Sequence, residues 1–450
     1  MAGDEWPSTP LGELCDSERG ITYGIVKVGD FVPGGVPVVR GGDIRGGRID
    51  CDDSKRVTEE ISNQFRRTIL KGGEIVLNLI ADPGHSAIVP RELAGHNVSR
   101  DVAVIPLDGS ADVRFVDFFL KSKIAVDWLT ARLQGSVTQK INLGTLRELP
   151  VPTPPLAKQK AIAAVLGALD DKIELNRRMN ATLEAMARAL FQSWFVNFDP
   201  VRAKLDGRKP DGLDKATAAL FPEHLEESTV GKKPLNWEVD TLERMLAVLE
   251  TGGRPKGGVS GITGGIPSIG AESIVSVGRF DFGKTKFVPV EFYEGMNKGH
   301  LESHDVLIYK DGGRPGEYEP HVSLFGDGFP FEKCCINEHV YRLRANERMS
   351  QEYLYFWLTS ELALAEMRTK GTGVAIPGLN STALRSLAVL VPPRPIVEAY
   401  TRQAAPLITR LLANARQSRT LATLRDTLLP KLLSGKLMAP GAHGPTEETT

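Results

Sequence analysis

Arginine, glutamine and lysine recur beside glycine in two separate stretches of this sequence. The first stretch holds Arg40-Gly-Gly-Asp-Ile-Arg45-Gly-Gly-Arg48, then Lys55-Arg56, Arg66-Arg67 and Gln139-Lys140. The second holds Arg254-Pro-Lys256, Arg279, Lys284-x-Lys286, Lys310-x3-Arg314 and Arg368-x-Lys370. Arginine can hold a guanine edge, and glutamine an adenine edge, through two hydrogen bonds each. Lysine and the main-chain amides of glycine can hold phosphates. Any one of these side chains would as readily solvate a surface. Their recurrence in both stretches makes nucleic acid a candidate ligand, with Arg40, Arg45, Arg48, Gln139, Lys140, Arg254, Lys256, Arg279, Lys310, Arg314 and Lys370 as candidate contacts.

Other chemistries find less support. Gly278-Arg-Phe-Asp-Phe-Gly283-Lys284-Thr285 has the letters of a P-loop. That chemistry needs a helix start after the glycines, so that free amides face the phosphates. The following KFVPVEFYEG is β-branched, aromatic and broken by proline, which predicts strand, turn and strand instead. Asp82-Pro83-Gly84-His85 and Asn197-Phe198-Asp199-Pro200 share a fragment of the amino-methyltransferase motif. Both lack its second proline and the aromatic that stacks on a flipped base. No Gly-x-Gly-x-x-Gly follows a strand. The eight histidines have no metal-ligand spacing, and Cys334-Cys335 are adjacent, a poor geometry for one tetrahedral ion. His85, His300, His304 and His321 read as loop or surface residues. With no nucleophile, base and orienting group in view, the expectation is a chain with no catalytic residues, metal or cofactor of its own.

The basic loops need a frame, and the frame is a duplication. Residues 156–195 read as one helix of ~60 Å, rich in Ala, Leu, Glu, Lys and Arg. Ile162, Leu166, Leu169, Ile173, Leu183, Ala187, Leu190 and Trp194 form a coiled-coil seam, interrupted by Asn176 and Asn180. Shifting by 238 gives a second seam, Ala404, Leu407, Leu411, Asn414, Ser418, Leu421 and Leu428, with Asn176 on Asn414. The lead-ins repeat as well: Leu146-Arg147-x-Leu149 matches Leu384-Arg385-x-Leu387, and Pro154-Pro155 matches Pro392-Pro393. Further upstream, a shift of 231 puts Trp6 on Trp237, Arg48 on Arg279 and Ile75-Val76-Leu77 on Val306-Leu307-Ile308. The offset reaches 238 by Val98, so seven extra residues fall between about 308 and 336.

Repeats of this length set the architecture. The expected fold is α+β, with two similar mixed globules joined by two long helices in an antiparallel coiled coil of pseudo-two-fold symmetry. Asn176 and Asn414 should meet near the axis and fix the register. The expected divisions are residues 1–150, a globule; 151–198, a long helix; 199–235, a linker with at most one short helix near Ala216–Leu220; 236–391, the second globule; 392–437, the second helix; and 438–450, a disordered tail. Residues 115–133 read as one amphipathic helix. Residues 134–155 read as a loop with a strand and a proline-rich stop.

Composition sets the remaining bounds. The net charge is −1, which by itself argues for no polyanion, but Arg394–Lys436 holds eight basic residues against two acidic ones. The four cysteines have no framework spacing, which suits a reducing compartment. The first residues lack a signal-peptide pattern, and no apolar run approaches the ~20 residues of a membrane span. The expectation is a soluble cytoplasmic protein.

The runs PPLAKQKAIAAVLGALDDKIELNRRMN and LFQSWFVNFDPVRAK, together with LRDTLLPKLLSGKL at 424–437, resemble the conserved regions of specificity subunits of type I restriction–modification systems. The opening of the second helix, RPIVEAYTRQAAPL, departs from the first by lacking its Lys-Gln pair. The resemblance implies two target-recognition domains that each read half of a split double-stranded DNA site, with the helices as a ruler. It also implies docking of methyltransferase subunits, two by analogy, and through them of restriction subunits that translocate DNA. S-adenosylmethionine and ATP would belong to those partners. The alternative from a different class is a coiled-coil scaffold that assembles proteins without touching DNA.

Overall fold

The computed structural model describes residues 6–51, 55–135, 139–229, 231–270, 273–326, 329, 331–373 and 377–440. Two compact units divide the chain. One runs to Lys172 and resumes at Leu421, and the other is Ile173–Thr420. Each long helix therefore contributes to both.

The first unit contains β1 (Ser8–Pro10), β2 (Thr22–Tyr23), β3 (Val36–Val39), β4 (Ile44–Arg45), β5 (Arg48–Ile49) and β6 (Arg56–Val57). After helix α1 (Glu59–Gln64) come β7 (Ile75–Asn78), β8 (Ser86–Ile88), β9 (Asn97–Val98) and β10 (Val102–Ile105). Helices α2 (Val113–Leu120), α3 (Lys123–Thr130) and α4 (Leu143–Arg147) lead to β11 (Pro150–Pro152) and the long helix α5 (Leu156–Phe195). The strands pair as an antiparallel sheet β2-β10-β7-β8, a mixed sheet β6-β3-β9, and two ribbons, β1-β11 and β4-β5.

The second unit repeats this plan. Helices α6 (Asp199–Leu205) and α7 (Lys215–Leu220) and the ribbon of β12 (Leu225–Glu226) with β13 (Lys233–Pro234) precede the repeat. Its strands are β14 (Glu238–Thr241), β15 (Leu246–Thr251), β16 (Ile266–Ile269), β17 (Ile274–Ser276), β18 (Arg279–Phe280) and β19 (Lys286–Val288). Helix α8 (Val290–Glu294) is followed by β20 (Val306–Tyr309), β21 (Gly313–Arg314), β22 (Glu317–Tyr318), β23 (Val322–Leu324), β24 (Cys335–Ile336) and β25 (Val340–Ala345). Helices α9 (Gln351–Leu358), α10 (Glu361–Lys370) and α11 (Ser381–Arg385), strand β26 (Ala388–Val391) and α12 (Arg394–Leu433) complete it. The sheets are β15-β25-β20-β23, β19-β16-β24, β14-β26 and β17-β18, matching the first unit one for one. The extra ribbon β21-β22 has no counterpart there.

Local chemistry explains why the plan survives duplication. Three helix starts are capped by side chains at equivalent positions. Asp112, Ser122 and Asn142 accept from the amides of Phe115, Ala125 and Gly144, and Ser350, Ser360 and Asn380 do the same in the second unit. Each cap satisfies amides that the helix itself cannot. A glycine is required at one equivalent point. A Cβ on Gly24 would lie 1.8 Å from the Val98 carbonyl oxygen, and one on Gly252 would lie 1.6 Å from that of Ile336. Only glycine admits that approach of backbone to backbone.

Several sequence expectations change. The single helix foreseen over 115–133 is two helices, because the Ser122 hydroxyl caps a new start. The loop foreseen over 134–155 contains α4, which the Asn142 cap starts. The linker foreseen with one short helix holds two helices and a ribbon, since Val201, Ala203, Leu213, Ala218 and Phe221 are apolar enough to bury. Ala439 is also buried, whereas the rest of the foreseen tail, 441–450, lies outside the described residues. The seven-residue insertion divides in two. Residues 310–321 separate β20 from β23 where only 79–85 separate β7 from β8, and the remaining two residues precede β24.

The long helices run antiparallel in each unit. In the first, Arg425 donates to Asp170 at 2.6 Å, and Ile162, Ala163 and Leu166 share a core with Leu429, Leu432 and Leu433. In the second, Phe191, Trp194 and Phe195 gather around Tyr400 with ring centroids 5.1–6.2 Å apart. Aromatic rings at such separations stabilise one another beyond the area they bury.

The polar seam differs in detail from expectation. Asn176 and Asn414 are both buried, but their amide groups do not bond to each other. Asn176 Nδ2 donates to Ser418 Oγ at 3.2 Å and to Gln417 Oε1 at 2.9 Å, and reaches the Asn414 carbonyl at 3.4 Å. Asn414 Nδ2 donates to Asn180 Oδ1 at 2.9 Å. Asn176 and Asn180 correspond to Asn414 and Ser418 in the repeat, so one bond is made twice about a local two-fold. Helix crossing places each asparagine one turn along from its twin, which is why the partners interchange.

Candidate nucleic-acid interface

In the first unit the loops at the C-terminal end of β7 draw the candidate residues together. Strands β4 and β5 form a hairpin in which Arg45 lies opposite Arg48 across Gly46-Gly47. Both glycines have positive φ, 56° and 77°, as a two-residue turn of this kind requires. Arg45 and Arg48 are exposed. Just before the hairpin, the Gly41 amide donates to Asp101 Oδ2 at 2.9 Å, and a Cβ on Gly41 would strike the Asn78 side chain. Asn78 in turn donates to the Asp82 carbonyl at 2.7 Å. Gln139 and Lys140, both exposed, join the same end: the Gln139 carbonyl accepts from the Ala81 amide at 3.1 Å, and Lys140 bridges to Ile80. Arg40 is half-exposed, with its guanidinium 3.2 Å from Asp43.

The second unit builds the same end from different side chains. The β17-β18 hairpin carries Arg279, exposed, directly after Gly278, whose φ is 66°. His321 Nε2 lies 2.9 Å from the Val275 carbonyl oxygen and ties the hairpin to the loop after β20. In that loop Asp311 bridges to Gly378, which stands where Lys140 stands in the first unit. His339 Nδ1 is 2.7 Å from Asp311 and its Nε2 3.6 Å from Glu338, and Glu338 holds Arg254 at 3.3 Å. Lys256 is exposed beside Arg254, and Lys310 is half-buried next to Asp311. The inserted ribbon lifts Arg314 into solvent. Tyr318 anchors its base, donating to the Tyr309 carbonyl, and burial pushes the phenol far above its usual range so that it keeps that proton. Burial likewise pushes Tyr341 up to about 12, and its hydroxyl donates to the Leu379 carbonyl at 3.0 Å.

Lys370 is engaged elsewhere, 2.9 Å from both Glu366 and the Ser386 carbonyl. Arg368 bridges Glu319 and Glu361. Lys284 lies 3.4 Å from Asp281, and its loop leads into β19 rather than a helix, so the Gly278–Thr285 pattern lacks the helix start a phosphate loop needs. Arg100 is the residue that sequence reading missed. It is exposed beside Asp101 at the β7 end, but as a lone basic residue between Ser99 and Asp101 it carries no pattern. Among the described residues no cluster of three or more metal-ligating side chains occurs, and no helix is long and apolar enough to cross a membrane.

Known proteins share this plan. The type I restriction modification DNA specificity domain matches residues 3–185. The type I restriction enzyme MjaIX specificity subunit of Methanocaldococcus jannaschii is 25% identical over 389 residues, 85% of this chain and 82% of that one. The HindI specificity subunit of Haemophilus influenzae is 23% identical over 447 residues, 89% of this chain and 94% of that one. The crystal structure of the type I restriction–modification S subunit from M. genitalium has the same fold, with a TM-score of 0.53 at 16% identity over 96% of this chain and 97% of that one. In its duplicated fold, its matched domain over residues 3–185 and relatives aligned along most of its length, the chain is similar to the specificity subunits of type I restriction–modification systems.

Proposed function

We propose that this chain is the non-catalytic, cytoplasmic DNA-reading subunit of a type I restriction–modification complex. Residues 1–150 and 236–391 act as two target-recognition domains, each reading one half of a bipartite double-stranded site. The helices within 151–198 and 392–437 link them and dock methyltransferase subunits, and through those the restriction subunits. One observation carries the reading. Two units of identical strand order present arginine-bearing hairpins at the same end of the same sheet, yet with different side chains at equivalent places. Equal frames with unequal tips suit two half-sites of unlike sequence. Two linked readers also bind far more tightly than one, because the second acts at high effective concentration.

The base contacts are assigned to Arg45, Arg48, Gln139, Arg279 and Arg314. Lys140, Lys256, Lys310 and the partly paired Arg40 and Arg254 serve the phosphates, with Lys370 at the margin. A genome methylation map of the host, made with and without this gene, tests the proposal. A split methylated motif that disappears with the gene is the expected result. An unchanged map refutes it and favours the scaffold reading. In binding assays of the assembled complex, log affinity should fall with log salt by ~0.9 per phosphate contact.

A further inference from the structure

The β17-β18 hairpin sits directly on the second long helix. A Cβ on Gly278 would lie 3.0 Å from Leu411 Cδ2 and 3.1 Å from Ala415 Cβ, a tight fit at a residue whose φ of 66° already favours glycine. On one side of the turn, Val277 is buried in the same core as Leu411 and Leu412. On the other side, Phe280 packs against Phe325 and Phe329 at centroid distances of 6.0 and 5.0 Å. A second loop rests on the same helical turn, since a Cβ on Gly326 would lie 2.4 Å from Leu412 Cδ1. Arg279 is thus an exposed side chain on a ribbon clamped on both flanks.

The same turn belongs to the polar seam. Asn180 Nδ2 donates to the Leu411 carbonyl at 3.1 Å, and Asn414 Nδ2 donates to Asn180 Oδ1 at 2.9 Å. Asn180 and Asn414 therefore fix where Leu411 and Ala415 lie, and those two residues fix where Gly278 lies. In the first unit the equivalent Gly47 approaches the flexible end of Lys121, which Asp117 holds, so that hairpin has a softer seat.

Resting on the function proposed above, we infer that Ala415 and Leu411 of α12 are positioning residues for DNA reading by the second unit. They carry the register of the helix pair to the arginine hairpin. A larger side chain at 415 lifts the ribbon and displaces Arg279, while the frame of the first unit is untouched.

The test uses the full chain in its host with its own methyltransferase, read as a genome methylation map. Ala415→Leu should reduce methylation of wild-type sites about tenfold to a hundredfold, the scale of one lost bidentate base contact. The relaxed or lost positions should fall in one half of the motif only. Ala415→Ser should leave the map unchanged. Gly278→Ala should damage the same half, through its positive φ as well as through its contacts with Leu411 and Ala415. An unaltered motif in Ala415→Leu or equal damage to both halves would each overturn the inference. A wild-type chain that directs no sequence-specific methylation refutes the functional reading instead, and the inference falls with it.

Discussion

The two units place a buried carboxylate at the head of the same strand and neutralise it from different directions. Glu74, ahead of β7, pairs with Arg19 from the loop before β2 at 2.6 Å. Asp305, ahead of β20, is wholly buried and pairs with Arg342 and Arg344, both on β25. Arg342 occupies the place of Val104 in the first sheet, and it also holds Glu250 at 2.8 Å on the neighbouring strand. Main-chain geometry, caps and close glycines hold the duplicated frame, and side chains on it can be replaced in concert provided each buried charge finds a partner. The reading loops vary under the same rule. Lys140 gives way to Gly378 on an unchanged bridge, and twelve residues replace seven between two strands that still pair.

The strongest way to break this comparison is to remove the arginines. Arg19→Met takes the cation from buried Glu74, leaves it the Lys71 amide, and should destabilise the first unit by about 3–5 kcal/mol. Arg342→Met should cost the second unit less, about 1–3 kcal/mol, because it leaves Asp305 with Arg344 and the Glu302 amide, and Glu250 with the Gly299 amide. Hydrogen exchange at β20 and at β7 reads the two effects separately, and equal losses would end the contrast. Next comes the seam. Asn414→Ala leaves Asn180 Oδ1 without its donor and should cost about 1–3 kcal/mol by denaturant titration, with the same loss for Asn176→Ala if the local two-fold holds. On the reading function, Arg45→Ala with Arg48→Ala, compared with Arg279→Ala, should each weaken discrimination by about 1–3 kcal/mol, in opposite halves of the motif. Damage to the same half by both would merge two readers into one.

The smallest effect concerns the thiols. Burial pushes Cys15 up to about 12 and Cys335 up to about 11, and it carries Cys334 higher still. The reactive thiolate is therefore scarce at pH 8 and its fraction grows as pH rises. Alkylation of the folded chain should spare these three and label Cys51 first. Fast labelling of Cys334 would mean that the core of the second unit opens more readily than its packing implies.

Much of the molecule was legible in its residues. Seam spacing and the recurring Leu-Arg-x-Leu and Pro-Pro lead-ins report periodicity and duplication, which are properties of the chain itself. They place both long helices, the main strands of both units and the basic, glycine-containing loops, but not the hairpin that Arg45 and Arg48 share. Short helices escaped because their starts depend on single capping residues, Ser122 and Asn142, whose alternatives as loop residues cost little. Arg100 escaped because exposure beside Asp101 is a matter of folding, not of pattern.

What the sequence alone determined is the repeat, the antiparallel helix pair and the likeness to type I specificity subunits. The amino-acid order carries these through spacing and apolar identity. Tertiary structure alone decided which asparagine meets which, that Arg342 does the work of Arg19, and that Gly278 rests on Ala415. Such contacts join residues from 37 to 242 positions apart, and they depend on crossing geometry and on ångström-scale clearances that composition and periodicity do not encode.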